Sequence, residues 1–375
     1  MKIYKEIYFF IIAFLFCIQA SFAQQTKISD YVIFGGKVAG GQTTPAYPGY
    51  GVQLSSSIDI EGGIIGSYNL VQSTGSLTLG ANVYSGGAIQ LANSNTVTGW
   101  MAAGSSTSAV SGTVISVGSN TNIGGNIDAN GNIIIGGGTV SGTVTHPTGT
   151  TYSGPLPVGG NNVGIPNFRG LPAMPVINNF PIVGSTNISN NKTVSPGSYG
   201  DVTLGGNKTL TLAGPGIYVF NSIVNSGTTN NFVFDFKNDP TGQIKIYVYS
   251  DVNLGKVQAS MINGGSESRI YLETHGTGST SSDRTLAFSI ANGAAGKSSK
   301  WIGTVWAPYA AIYVGSGTGS TNIVGALYSG TQVNIQSGIN MIFAPFSFCA
   351  IPVIYAGPDK ALDVYSKAQL TGTSS

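Results

Sequence analysis

Glu273, His275, Asp283 and Arg284 form the one place in the carboxyl-terminal half of this 375-residue sequence where histidine, carboxylates and arginine fall close together. A carboxyl–imidazole pair held in a groove can move protons at a glycosidic bond, so the set is a candidate for a polysaccharide-cleaving solenoid. Tyr271, Glu273 and His275 alternate with Ile270 and Leu272, which predicts that all three project outward from one strand. The simpler expectation for such a row is a solvated outer face. No residue is therefore assigned a catalytic role, and these four are the candidates if the protein is an enzyme.

Other groupings point to turns rather than chemistry. Asp235, Asp239 and Asp251 have the oxygen ligands calcium wants, but not the spacing of an acidic loop. Asp128-Ala-Asn-Gly131 lacks the repeated Gly-Gly-x-Gly-x-Asp nonapeptide of calcium β-rolls. His146 stands beside Pro147 without a second ligand. No Gly-x-Ser-x-Gly elbow with partners, phosphate loop or dinucleotide fingerprint is present, so no metal or cofactor is expected. Thr, Ser and Asn remain. Set at regular spacing on a flat face they can order water and bind ice, or hydrogen-bond a polysaccharide beside tyrosine platforms. Thr209-x-Thr211 and Ser76-x-Thr78 look isolated, whereas an ice-binding face needs the motif in register on many coils.

The elements that must carry these residues are short strands. Between Gly303 and Phe346, Ala311 and Tyr313, Val324 and Ala326, and Val333 and Ile335 fall two apart between glycines, the period of a strand with one buried face. With 55 Gly, 41% hydrophobic and only 8% charged residues, the chain is neither a helical enzyme nor disordered. An all-β, right-handed β-helix is the fold predicted. Val110-Ser-Gly-Thr-Val114 returns as Val140-Ser-Gly-Thr-Val144, and Asn191-Lys-Thr-Val194 with Gly197-Ser-Tyr199 returns as Asn207-Lys-Thr-Leu210 with Gly216-Ile-Tyr218, which suggests stacked coils. Residues 232–236, 243–249 and 269–274 alternate as strands, with Ile244, Ile246 and Val248 opposite Lys245, Tyr247 and Tyr249.

Seven of the 16 prolines lie between His146 and Pro181, where no central strand is expected. This segment is read as an extended connector with Phe168, Leu171, Met174 and Phe180 to bury. At the amino end Lys2 and Lys5 precede an apolar run from Ile7 to Ile18, and small residues predict signal cleavage between Ala23 and Gln24. The run is short for a membrane span of about 20 residues. The mature net charge is near +1, from 14 basic and 13 acidic side chains, and without Lys/Arg clusters it offers nothing to nucleic acid. Cys349 is the one mature cysteine and reads as a small buried hydrophobe.

The succession SPGSYGDVTLGGNKTLTLAGPGIYVF, GQIKIYVYSDVNLGKVQAS, RIYLETHG and GTVWAPYAAIYVGSGTGSTNIVGALYSGTQVNI resembles a family of uncharacterised right-handed β-helical domains of secreted and cell-surface bacterial proteins. Its best marks are Trp306-Ala-Pro308 and Gly325-Ala-Leu-Tyr328. The resemblance covers about 182–348 and implies fold and surface location, with no catalytic residues to carry over. AGPDKALDVYSKAQLTGTSS is similar to the first strands of a PKD-type, immunoglobulin-like module, a truncated β-sandwich start.

The expected organisation is a signal peptide (1–23), a first solenoid (24–146), a connector (147–181), a β-helix domain (182–348) and the module start (349–375). Gly303–Phe346 is read as the final coils, with Trp306 and Pro308 shaping and capping the wall. The expected function is that of a secreted, non-catalytic structural or adhesive surface protein, with polysaccharide or other surface components as partners. Self-association through sheet edges is a further expectation. A carbohydrate-active enzyme and an ice-binding protein are the alternatives.

Overall fold

The computed structural model describes residues 25–36, 49–104, 106–281, 284–294 and 297–348. The expected signal cleavage at Ala23 and Gln24, Cys349 and the PKD-type start lie outside them, as does Asp283. Among these residues, apart from two single 3-10 turns, the regular elements are strands, and nearly all pair in parallel. The all-β solenoid expected from composition is the observed architecture.

Each coil has three sides. One side is a 13-stranded sheet, here face I. A 21-stranded sheet supplies the other two, faces II and III, because several of its strands pass round a corner. Ser299–Ala307 shows how: its first half pairs with Val257–Ile262 and its second with Ile270–Thr274. Glycine makes that corner passable. Gly303 sits at φ +101°, and a Cβ on Gly325, its partner on the next coil, would come within 2.1 Å of the Gly303 carbonyl oxygen.

Inside the coils, aliphatic side chains from the three faces form one continuous core. Ile60, Leu79, Val97, Ile123 and Val140 stack rung on rung along face II. Each such side chain contributes roughly 1.5–3 kcal/mol by leaving water. Trp301 is buried among them, edge-on to Phe232, Phe234 and Phe288. At corners, asparagine amides cap backbone N–H groups of the adjacent coil: Asn191 Oδ1 accepts from Thr209 at 2.8 Å and Asn126 Oδ1 from Thr143 at 3.0 Å.

The order of coils differs from the order of the chain. Residues 188–343 climb from one end to the middle, where Ile339–Phe343 pairs with Ile58–Ser67, and residues 52–163 continue to the far end. The middle coil is composite. Its third side is Tyr31–Gly35, inserted between Thr321–Ser329 and Ile58–Ser67. The two expected solenoids are thus one hydrogen-bonded stack. Gly303–Phe346 is its centre rather than its end, and Trp306 lies under covering chain instead of capping the wall.

The pairing sets the register that the two sequence echoes left open. Val140 stacks on Ile123 and Val144 on Ile127, so the Val110–Val114 echo does not mark neighbouring rungs. Thr193 pairs with Thr211 and Ser198 with Val219, two residues away from the sequence echo, a slip that preserves which side chains face inward. Tyr152–Ser153 and Asn161–Val163 add a last coil within the segment expected to be connector. From 164 the chain then returns along face III. Backbone strain at the corner gives a test: Gly325→Ala is expected to cost about 1–3 kcal/mol, read as a lower denaturation midpoint, whereas Gly205→Ala, with open space at its Cβ, leaves it nearly unchanged.

Candidate functional site

Each face presents a central outward side-chain column, and the three differ in chemistry. On face III the column runs Val219, Tyr247, Glu273, Trp306, Tyr328, Phe34, Gly66, Tyr84, Ala102, Asp128. Large aromatics in file cannot stay in water without cost, and the connector covers them. Phe180 stacks on Tyr247 at 4.7 Å, Arg169 lies over Trp100 at 5.2 Å, and Phe168, Leu171 and Met174 pack on the same cluster.

The catalytic candidates fall in this covered column. Glu273 and His275 do project outward, but Glu273 is 0% exposed rather than solvated. Its Oε1 accepts from the Asn178 N–H and lies 2.9 Å from His275 Nε2; its Oε2 accepts from the Tyr271 hydroxyl at 2.9 Å and from Asn178 Nδ2 at 2.5 Å. Phe180 closes the imidazole face at 3.8 Å. Two of the carboxylate's contacts hold the connector through Asn178 and the other two go to Tyr271 and His275 beside it, which leaves no space for a sugar at this site. Burial, and then the Glu273 charge, push the Tyr271 hydroxyl well above its ordinary pKa. Arg284 begins the strand Arg284–Ala291 on face I, whereas Glu273 and His275 belong to face III.

Asp128 repeats the device near the other end, accepting the Asn167 N–H at 2.8 Å. Burial raises its pKa above 3.8, partly offset by that hydrogen bond. His146 is buried against Thr150, with Nδ1 to Oγ1 at 3.0 Å. Asp235 is held by Lys237 at 2.7 Å and by Asn263, and Asp239 caps Thr241 and Gly242. These bonds lower both carboxyl pKa values. Among the described residues no three His, Cys, Asp or Glu side chains converge on a metal-sized point.

Face II is open. Its outward column, rung by rung, is Thr209, Asn231, Gln258, Lys300, Asn322, Asn340, Asp59, Thr78, Thr96, Asn122, Thr139. Hydrogen bonds between rungs fix the side chains: Thr139 Oγ1 donates to Asn122 at 2.8 Å, Asn340 to Asn322 at 3.1 Å and Asn231 to Thr209 at 3.3 Å. Thr78, Thr96, Asn122 and Thr139 are all exposed and uncharged. Sequence reading missed this column because Thr96 and Asn122 are 26 residues apart but Asn122 and Thr139 only 17. Face I carries a further column that includes Gln53, Gln72, Gln90 and Ser116.

No family model and no curated protein matches the sequence. Among solved structures, an ice-binding protein from an Antarctic bacterium, Flavobacteriaceae, aligns with a TM-score of 0.25 at 12% identity, over 85% of this chain and 97% of that one. A match at that level carries no argument. No helix among the described residues is long and apolar enough to cross a membrane.

Two outcomes follow from the face III clamps. Glu273→Ala, which strands the Asn178 and Tyr271 donors, is expected to cost about 3 kcal/mol or more by chemical denaturation. For Asp128 the folded-state pKa is raised, so its contribution is present below 3.8 and is lost as pH rises through the folded value. Asp128→Asn is expected to flatten that part of the stability–pH curve, measured as midpoint against pH from 3 to 8, and to leave the protein at least as stable at pH 7.

Proposed function

We propose that this is an exported, non-catalytic protein that binds an ice surface through face II. The observation that carries the reading is the register of Thr78, Thr96, Asn122 and Thr139 on four successive coils. Parallel strands stand about 4.8 Å apart, and alternate residues along a strand about 6.6 Å apart. Beside the column stand Gly80, Thr98, Gly124 and Ser141, so a second file adds hydroxyls on alternate rungs and makes a partial two-dimensional grid of small groups. A rigid grid of this kind holds first-shell water at fixed positions, and a crystal of water can continue that order.

Three features favour ice over a sugar chain. The four rungs carry no charge, whose hydration shell would resist a crystal lattice. No aromatic platform for a pyranose ring stands among them. The rotamers are partly fixed in advance by hydrogen bonds such as Thr139 to Asn122, which reduces the ordering cost of binding. Many weak contacts then act together, as in any multivalent surface. The leader ending near Ala23, the likeness of 182–348 to secreted β-helical domains and the PKD-type start at 356–375 support a role outside the cell.

Purified protein is expected to show thermal hysteresis and to inhibit ice recrystallisation. Thr96→Tyr, a bulky change at an exposed rung, is expected to lower both by about fivefold or more while leaving the denaturation midpoint alone. Thr203→Tyr on face I serves as the control and changes neither. Wild-type protein without hysteresis or ice shaping would overturn the proposal, and binding on a neutral glycan array in that case would return the face to an adhesive role.

A further inference from the structure

Face II turns into face III through two long excursions on adjacent coils, residues 236–243 and 263–269. Arg269 closes the second and reaches across to the first. We propose that its guanidinium anchors a binding site for the carboxylate of a hydroxylated ligand, of the uronic acid class. The inference is independent of the ice-binding face.

The state of Arg269 carries the argument. It is only 6% exposed, and among the described residues no carboxylate forms an ion pair with it. A buried charge is costly unless it is paired. What fixes the side chain uses one nitrogen and one face. Nη1 donates to the Asp239 carbonyl at 3.0 Å, and the guanidinium carbon lies 4.5 Å from the centre of the Phe236 ring. Nε and Nη2 make no hydrogen bond among the described residues, and neither is sealed from solvent. These two nitrogens form the side of the guanidinium whose parallel N–H groups match the two oxygens of a carboxylate. The fold thus positions a fork that it does not itself use.

The surrounding groups decide the class of ligand. The Thr241 and Gly242 N–H groups chiefly, and then the Arg269 charge, hold the Asp239 carboxyl below its usual range, so its Oδ1 is already committed. Asp235, Asp239 and Glu267 outnumber Lys237 and Arg269 here, and Lys237 is bound to Asp235 at 2.7 Å. A doubly charged phosphate or sulfate therefore meets more repulsion than a singly charged carboxylate. The same excursions carry neutral donors and acceptors suited to hydroxyls, among them Asn238, Ser266 and Ser268. Gly264 and Gly265 add exposed N–H groups at φ +85° and +97°, without partners among the described residues.

NMR titration of the isotope-labelled full protein with galacturonate tests the proposal, with galactose as the neutral counterpart and sulfate as the dianion. A saturable shift of the Arg269 Nε–H signal is expected with galacturonate, none with galactose, and sulfate is expected to bind more weakly by about tenfold or more. Arg269→Lys keeps the charge but removes the fork, and is expected to weaken galacturonate binding by about tenfold or more. If that variant fails to fold, competition on the wild-type protein decides the same point: acetate shares only the carboxylate and is expected to displace the sugar acid. Thr96→Tyr should bind galacturonate as the wild type does, so this proposal and ice binding fail separately. No saturable shift in the wild type, equal shifts with galactose, no displacement by acetate, or binding that Arg269→Lys leaves untouched would overturn the proposal. Sulfate binding as tight as that of galacturonate would overturn the assignment to a carboxylate.

Discussion

A parallel sheet edge has half its backbone groups unpaired, and the need to pair them governs this molecule. Each coil satisfies the edge of its neighbour, so a solenoid built in two lengths of chain has two edges to reconcile. Here Ile339–Phe343 meets Ile58–Ser67, and the gap on the third side is filled by Tyr31–Gly35. Tyr328 seals the joint by donating its hydroxyl to the Tyr31 carbonyl at 2.9 Å, and burial pushes that hydroxyl upward in pKa. Neither length could bury this seam alone. The joint therefore makes one cooperative body from what the chain order presents as two, and the connector must run back along the outside because the coil order leaves it no other route.

That return path explains why face III and face II diverged. A segment lying along a sheet needs apolar side chains beneath it and fixed points along it. The aromatic file from Tyr247 to Tyr84 supplies the first, and Glu273 and Asp128 supply the second by accepting the Asn178 and Asn167 N–H groups. A proline-rich chain has few donors to satisfy but keeps its carbonyls, and Thr26, Tyr68 and Tyr249 donate hydroxyls to those of Gly170, Pro172 and Pro181. The same carboxylate that looked like an acid–base group in sequence is, in space, a strut. Face II has no such burden, and its outward positions are free to be small and polar.

How far the sequence was legible follows from the same physics. Alternation placed Ile244, Ile246 and Val248 inside and Tyr247 outside, because the two-residue period is local. It also placed Glu273 and His275 outward, yet it could not show that a segment about 95 residues earlier would cover them. Register failed wherever it depended on coil length. The Val110 and Val140 echo was similarity of composition, whereas the true neighbours Ile123 and Val140 share no motif. The Asn191 and Asn207 echo was nearer, and its two-residue slip kept every side chain on the correct face. Thr78 looked isolated although its partner Thr96 opens a Thr-x-Thr of its own at 96–98, because no constant coil length carries the pairing on to the next rungs.

Variable coil length also bears on which face can meet a lattice. The long excursions, residues 106–112, 236–243 and 263–269, fall between strands, at corners. None interrupts the outward column of face II, and the one irregular register there lies at Gly62 and Gly63, where Ile58–Ser67 rounds the corner toward face III. Insertions into a strand would shift its side chains between faces and break the column, whereas insertions at a corner leave the grid intact. The core imposes the same restriction, since an insertion that turned an outward side chain inward would break the inner stack too, which is why the covered column of face III is in register as well. What distinguishes face II is therefore the chemistry of its outward groups, small and uncharged from Thr78 to Thr139 and left uncovered by the connector.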